Sequence, residues 1–74
     1  MLRGQRIRDR REQVGLSQEA LGRRIGKDGQ YVSKLERGIR TNITTDTLEH
    51  LAEALVCSAD YMLGLADDPR PRPH

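Results

Sequence analysis

Gln30, Ser33 and Lys34 fall at i, i+3 and i+4 spacing, so on a helix an amide, a hydroxyl and an ammonium share one face, opposite Val32 and Leu35. Gly29 precedes this set, Tyr31 interrupts it, and Arg37, Arg40, Thr41 and Asn42 follow close behind. Such a cluster can donate and accept hydrogen bonds in a fixed pattern, but it contains nothing suited to breaking a covalent bond. Elsewhere the catalytic repertoire is thin. His50 stands between Glu49 and Leu51 with no nucleophile beside it, no carboxylate pair lies in a pocket-forming motif, and no glycine-rich phosphate loop occurs. The two His (His50, His74) and the lone Cys57 are too few and too scattered for a structural zinc site. The sequence therefore argues against an enzyme, and no metal, cofactor or small-molecule ligand is implied.

The chain's 74 residues suffice for one domain and no more. No apolar run approaches the roughly 20 residues needed to span a bilayer, and MLRGQRIRDRR lacks the apolar stretch of a signal peptide. A lone cysteine cannot form an internal disulfide and suits a reducing compartment, so the expected location is the cytoplasm. The net charge of +2 conceals a strong asymmetry. Residues 1–45 carry eleven Lys/Arg against five acids, a net +6, whereas residues 46–74 carry two Arg against six acids, a net −4. A basic front half points to a polyanion, although many hydrated helices are equally rich in arginine.

The elements that must position these residues are helical. Apolar residues recur every three or four positions, and β-branched residues nowhere alternate over a useful run. A first helix is expected from Leu2 or Gly4 to Gln13, with Ile7, Arg11 and Val14 on one stripe and Gly15 ending it. Ser17 suits the N-cap of a second helix over residues 18–25, with Leu21 and Ile25 inward and Gly26 closing it. Asp28 can cap a third over residues 29–37, stopped by Gly38. Thr44 or Thr45 begins a fourth that runs to about Leu55 on a Leu48, Leu51, Ala52 and Leu55 stripe, and Ser58 caps a short fifth over residues 59–63. Residues 1–65 thus form the domain. Residues 66–74, with three prolines at alternate positions, read as an extended, disordered tail rich in Pro and Arg. Cys57 reads as a small core residue, since no cationic neighbour is evident to activate its thiol.

The segment LSQEALGRRIGKDGQYVSKLERG, residues 16–38, holds two short helices joined by a glycine-containing turn, the pattern of a helix-turn-helix. The geometry asks that Gly26 permit a sharp exit, that Ala20 stay small where the helices cross, and that Val32 and Leu35 lock the third helix onto the second. This segment resembles the Cro/CI-type helix-turn-helix family, also called the XRE family, of phage repressors and bacterial transcriptional regulators. LSQEAL opens the second helix as in that family, YVSKLERG closes the third, and DTLEHLAEAL followed by SADYMLG resembles its fourth and fifth helices. The likeness runs from about Gln5 to Gly64.

The resemblance implies an all-α, compact five-helix, lambda-repressor-like domain that binds double-stranded DNA and regulates transcription, with repression the expected mode. It also implies a third helix lying in the major groove. Carried over by position, Gln30, Ser33 and Lys34 become the base readers: Gln bonds bidentately to adenine, Lys donates to guanine, and Ser serves either. An ordinary hydrated helix face would carry the same residues, and the surrounding motif favours the groove. Gln18 resembles the glutamine that contacts phosphate and braces the reading helix. Gly29, Tyr31, Arg37, Arg40, Thr41 and Asn42 fall where the family touches the flanking DNA backbone. Tyr31 stays open between a hydroxyl that meets phosphate and a ring that only covers the helix junction. Arg11 and Glu36 match positions where related repressors join the first helix to the third by a salt bridge.

Two departures stand out: Gly29 sits where the family often has a long polar reader, and the loop after Gly38 is one residue longer than the commonest form. Tyr61, Met62 and Leu65 are candidates for a homodimer interface on a near-palindromic operator. The same apolar surface could instead serve a protein–protein interaction module, such as an antitoxin subunit or adaptor.

Overall fold

The structure, a computed structural model, describes residues 2–70, and among them the chain forms five helices and no strand. These are α1 (Gly4–Gln13), α2 (Gln18–Arg24), α3 (Gly29–Glu36), α4 (Thr45–Leu55) and α5 (Ala59–Met62). Four of the five begin on a side-chain cap that satisfies an otherwise unpaired backbone N–H. Ser17 Oγ accepts from Ala20 N at 3.0 Å and Asp28 Oδ1 from Tyr31 N at 2.8 Å. Thr44 Oγ1 accepts from Thr47 N, and Ser58 Oγ from Tyr61 N, both at 3.1 Å. The boundaries expected from sequence agree to within one residue, with Ile25, Arg37 and Leu63 serving as C-caps and not as last helical residues.

The core draws on every helix. Ile7, Leu21, Val32, Leu35, Leu51, Leu55 and Met62 are all fully buried. The most extensive packing is between α2 and α3, and α1 lies across α3. Gly26, with φ +75°, makes the turn between α2 and α3, a conformation that an L side chain resists. Beside it, Lys27 N donates to Gly22 O at 2.7 Å and closes the C-terminal end of α2. Gly22 is buried where the α2 backbone meets the turn before α3, whereas Ala20, the residue expected at the crossing, is half-buried. A Cβ at Gly22 would overlap the Asp28 carbonyl and lie 2.8 Å from the Asp28 Cα.

Three further features depart from the sequence expectation. Met62, proposed for a dimer surface, is wholly inside the core, because the single turn of α5 directs it inward. Of the segment expected to be a disordered tail, residues 71–74 lie outside the described residues. The part before them folds back on the body. Arg6 donates to the carbonyls of Tyr61 and Ala66 and pairs with Asp67 at 3.2 Å, and Ser58 N donates to Pro69 O at 2.9 Å. Finally, α4 ends without glycine: Val56 adopts the left-handed conformation (φ 50°), and Arg10 donates to the Leu55 and Val56 carbonyls at 2.8 and 3.0 Å. That placement also brings a cation towards Cys57. Burial nevertheless dominates, and it raises the thiol pKa more than Arg10 lowers it, in keeping with a core residue that is 2% exposed.

Gly22 yields a direct test. Gly22→Ala forces α2 away from the turn before α3 and should lower the unfolding free energy by ~2–3 kcal/mol in a urea titration, whereas Ala20→Ser should cost much less.

Candidate nucleic-acid interface

α3 is an eight-residue helix with an apolar rear, where Val32 and Leu35 are buried, and a polar front. Gln30, Lys34 and Arg37 are exposed on that front, and Ser33 is half-buried among them. Two open depressions flank the front. One lies between the N-terminal ends of α2 and α3 and is lined by Gln18, Glu19, Asp28, Gly29 and Gln30. The other is lined by Lys34, Ile39, Arg40, Thr41 and Asn42. The loop curls back to form it, with Ile39 N and Arg40 N donating to Lys34 O at 3.0 and 3.2 Å. Gly29 fits its place closely: a Cβ there would stand 3.2 Å from Glu19 Cα, tighter than a methyl ordinarily tolerates.

The rear of α3 is fixed by a polar knot. Arg11 of α1 grips the Glu36 carboxylate with two N–H groups, Nε to Oε2 at 2.6 Å and Nη2 to Oε1 at 3.2 Å. Gln18 of α2 donates its amide N–H to Glu36 Oε1 at 3.1 Å, and Arg11 also donates to the Leu16 carbonyl at 2.9 Å. The Glu36 side chain is 4% exposed and that of Arg11 12%, so water scarcely competes. The hydrogen bond to Glu36 raises the Arg11 pKa further and outweighs the opposing effect of burial. Gln18 thereby commits its amide N–H to the protein, while its position keeps it at the rim of the first depression.

The residues singled out in the sequence are not all gathered in one place. Gln18, Gly29 and Gln30 share the first depression, and Lys34, Arg40, Thr41 and Asn42 share the second. Arg37, at the C-cap of α3, is exposed on the same front but lines neither depression. Tyr31 is half-buried, and its ring lies within 5.3 Å of the Lys27 ammonium and 5.1 Å of the Arg40 guanidinium, measured to the ring centroid. Tyr61 is half-buried and Leu65 73% exposed, both away from α3 in sequence and element. Sequence reasoning overlooked Lys27, which belongs to no helix and shows no periodicity, and Gly22. The one available signal for Gly22 was a glycine in mid-helix, unfavourable unless another backbone lies close. His50 is exposed beside Glu53 and across from Arg24, and no nucleophile joins it.

The profile of the helix-turn-helix family matches residues 7–62. The chain belongs to the Cro/CI-type helix-turn-helix family. It is 42% identical over 93% of its length to an uncharacterized transcriptional regulator in the ATPase CF(0) region of Rhodospirillum rubrum, and spans 63% of that protein. It is 40% identical over 84% of its length to repressor protein C2 of Salmonella phage P22, and spans 28% of it. Among solved structures, the P22 c2 repressor in complex with a synthetic operator superposes with a TM-score of 0.79 at 38% identity, over 89% of this chain and 98% of that one. SinR, the master regulator of biofilm formation, in complex with DNA gives 0.74 at 33%, over 81% and 95%. These relatives are regulators and repressors, not enzymes. Among the described residues, no helix is long and apolar enough to cross a membrane.

The knot around Glu36 predicts a non-additive stability series. Arg11→Met or Glu36→Leu alone strands a buried charge and should cost ~3–5 kcal/mol in chemical denaturation. The double variant removes both charges and should be more stable than either single one. A double variant as unstable as the sum of the singles would refute the pairing as the source of the loss.

Proposed function

We propose that this chain binds double-stranded DNA sequence-specifically, laying α3 in the major groove, and that it regulates transcription as a repressor. The observation that carries this reading is the polar front of α3. Gln30, Ser33 and Lys34 form it on a helix whose rear is locked by Val32, Leu35 and Glu36, with basic and amide side chains on the adjoining loop. In this reading Gln30, Ser33 and Lys34 meet base edges. Gln18, Gly29, Tyr31, Arg37, Arg40, Thr41 and Asn42 meet the sugar–phosphate backbone and fix register. The P22 repressor, solved on a synthetic operator, and SinR, solved on DNA, support it through shared fold and sequence.

The same reading extends to a homodimer. Eight residues of helix extend about 12 Å, enough for roughly four base pairs, which is little sequence information for one subunit. One copy carries a single α3, so it can fill only one of two half-sites about 34 Å apart. Two copies on a near-palindrome can fill both. Leu65 and the exposed part of Tyr61 are the surface we assign to their contact, without Met62.

The test is an anisotropy titration against a random duplex library at low and physiological salt. Steeply salt-dependent retention of a two-fold motif is expected, and absence of any retention would refute the proposal. On the selected site, Gln30→Ala should cost ~1–3 kcal/mol and relax the preference at one position, while Arg37→Ala should weaken all sequences about equally. Leu65→Asp should leave the affinity for a single half-site intact and abolish the gain from a second. An unchanged gain, or sedimentation of the parent chain as a monomer on the full site, would remove the dimer.

A further inference from the structure

Lys27 and Arg40 lie thirteen residues apart, one in the turn after α2 and the other in the loop after α3, yet both cations rest near one aromatic ring. The ring belongs to Tyr31, in the first turn of α3, and its placement is firm. Tyr31 N donates to the Asp28 cap at 2.8 Å, and the side chain is half-buried against the hydrophobic core. Lys27 and Arg40 themselves are exposed. An aromatic face attracts a cation within about 6 Å through its quadrupole, and both distances fall inside that range. Left alone, two long side chains on separate loops would sample many rotamers and repel each other.

We infer that the Tyr31 ring is a positioning platform that holds both Lys27 and Arg40 in place beside α3 as phosphate contacts. This makes Lys27 a backbone-binding residue and refines the part given to Tyr31 above: its ring serves the backbone contact by placing two cations, and its hydroxyl makes none. The inference rests on the DNA-binding reading above. Lys27 and Arg40 project from opposite ends of α3, one in the turn before it and one in the loop after it. The ring keeps each cation within 5.3 Å of its centroid. A phosphate arriving at either meets a cation whose freedom is already restricted, and it releases the counterions displaced. Arg40 further owes its place to the loop hydrogen bond from its own N–H to Lys34 O, so its placement is built into the backbone as well as the side chains.

Backbone contacts carry no sequence information, so the inference can be tested on a mixed-sequence duplex of about 20 base pairs without knowledge of the operator. Lys27→Ala should reduce the log–log salt slope by about 0.9, as expected for one lost phosphate contact. Tyr31→Leu removes no charge, yet should weaken binding about five- to tenfold, whereas Tyr31→Phe should stay within about twofold of the parent. In a Lys27→Ala, Arg40→Ala background, the same Tyr31→Leu change should have almost no further effect, because the cations through which the ring acts are gone. Three results would each overturn the inference while leaving DNA binding in place. One is a salt slope unaltered by Lys27→Ala. Another is Tyr31→Phe as damaging as Tyr31→Leu, which would make the hydroxyl the contact. The third is a Tyr31→Leu penalty of equal size in both backgrounds, which would make the ring a packing residue only. Failure of the parent chain to bind the duplex at low salt would instead overturn the DNA-binding reading itself.

Discussion

Glu36 stands at the last position of α3, and its carboxylate gathers donors from two other helices: two N–H groups of Arg11 on α1 and one of Gln18 on α2. Everything proposed for the front of α3 depends on this. A helix of eight residues is far below the length at which an isolated helix is stable in water, so its persistence must come from its surroundings. Three restraints supply it. Asp28 caps the N-terminal end, Gly22 lets the α2 backbone press against the turn just before α3, and Glu36 ties down the C-terminal end. With the rear and both ends occupied, the front keeps one orientation while its side chains stay in water. The arrangement has a cost, since two charges are taken out of solvent, and only the bidentate geometry with a third donor makes it tolerable.

The same arginine chemistry serves opposite ends in different parts of the chain. Eleven cations in the first forty-five residues suggest a uniformly basic surface. The structure divides them. Arg11 is spent on Glu36, Arg10 on the carbonyls that end α4, and Arg6 on the segment after α5, with its guanidinium over the Tyr61 ring as well. Arg23, Arg24, Lys27, Lys34, Arg37 and Arg40 stay exposed. Arg3 and Arg8 are exposed as well, Arg8 in an ion pair with Glu12. Those of α1 are thus partly builders, and most of the exposed cations lie from α2 to the α3–α4 loop. Net charge by itself cannot make this distinction, because it depends on which carbonyl or carboxylate the fold brings within reach.

Legibility in the sequence follows the same division between local and non-local causes. Caps were readable because Ser17, Asp28, Thr44 and Ser58 act on backbone three residues away. The buried stripe of α3 was readable from helical period alone. What escaped was set by distant partners. Gly22 matters through Asp28 across the turn, and a small residue such as Ala20 or Gly22 carries no sign of which neighbour it faces. Met62 reads as one more apolar residue on a short amphipathic turn, and the packing of α5 on α1 and α4 decides that it is buried. Val56 carries no stop signal, and the end of α4 is completed by Arg10, forty-six residues earlier. The proline-rich composition after residue 65 suggested freedom, but composition has no means of registering that Arg6 and Ser58 N hold Ala66, Asp67 and Pro69.

Gly29 shows how the two kinds of cause meet. By sequence it is a missing reader that weakens the start of a helix by up to about 1 kcal/mol relative to alanine. In the fold, alanine would not simply recover that energy, because its methyl would press on the Glu19 backbone at 3.2 to 3.3 Å and push the N-terminal ends of α2 and α3 apart. Those two ends frame the depression that Gln18 and Gln30 line, and the bare backbone at Gly29 forms part of its wall. A side chain at this position would add a potential contact and at the same time shift the two glutamines already there. The absence of a side chain thus helps to position its neighbours, and in the proposed DNA-binding reading the base contact passes one residue along, to Gln30.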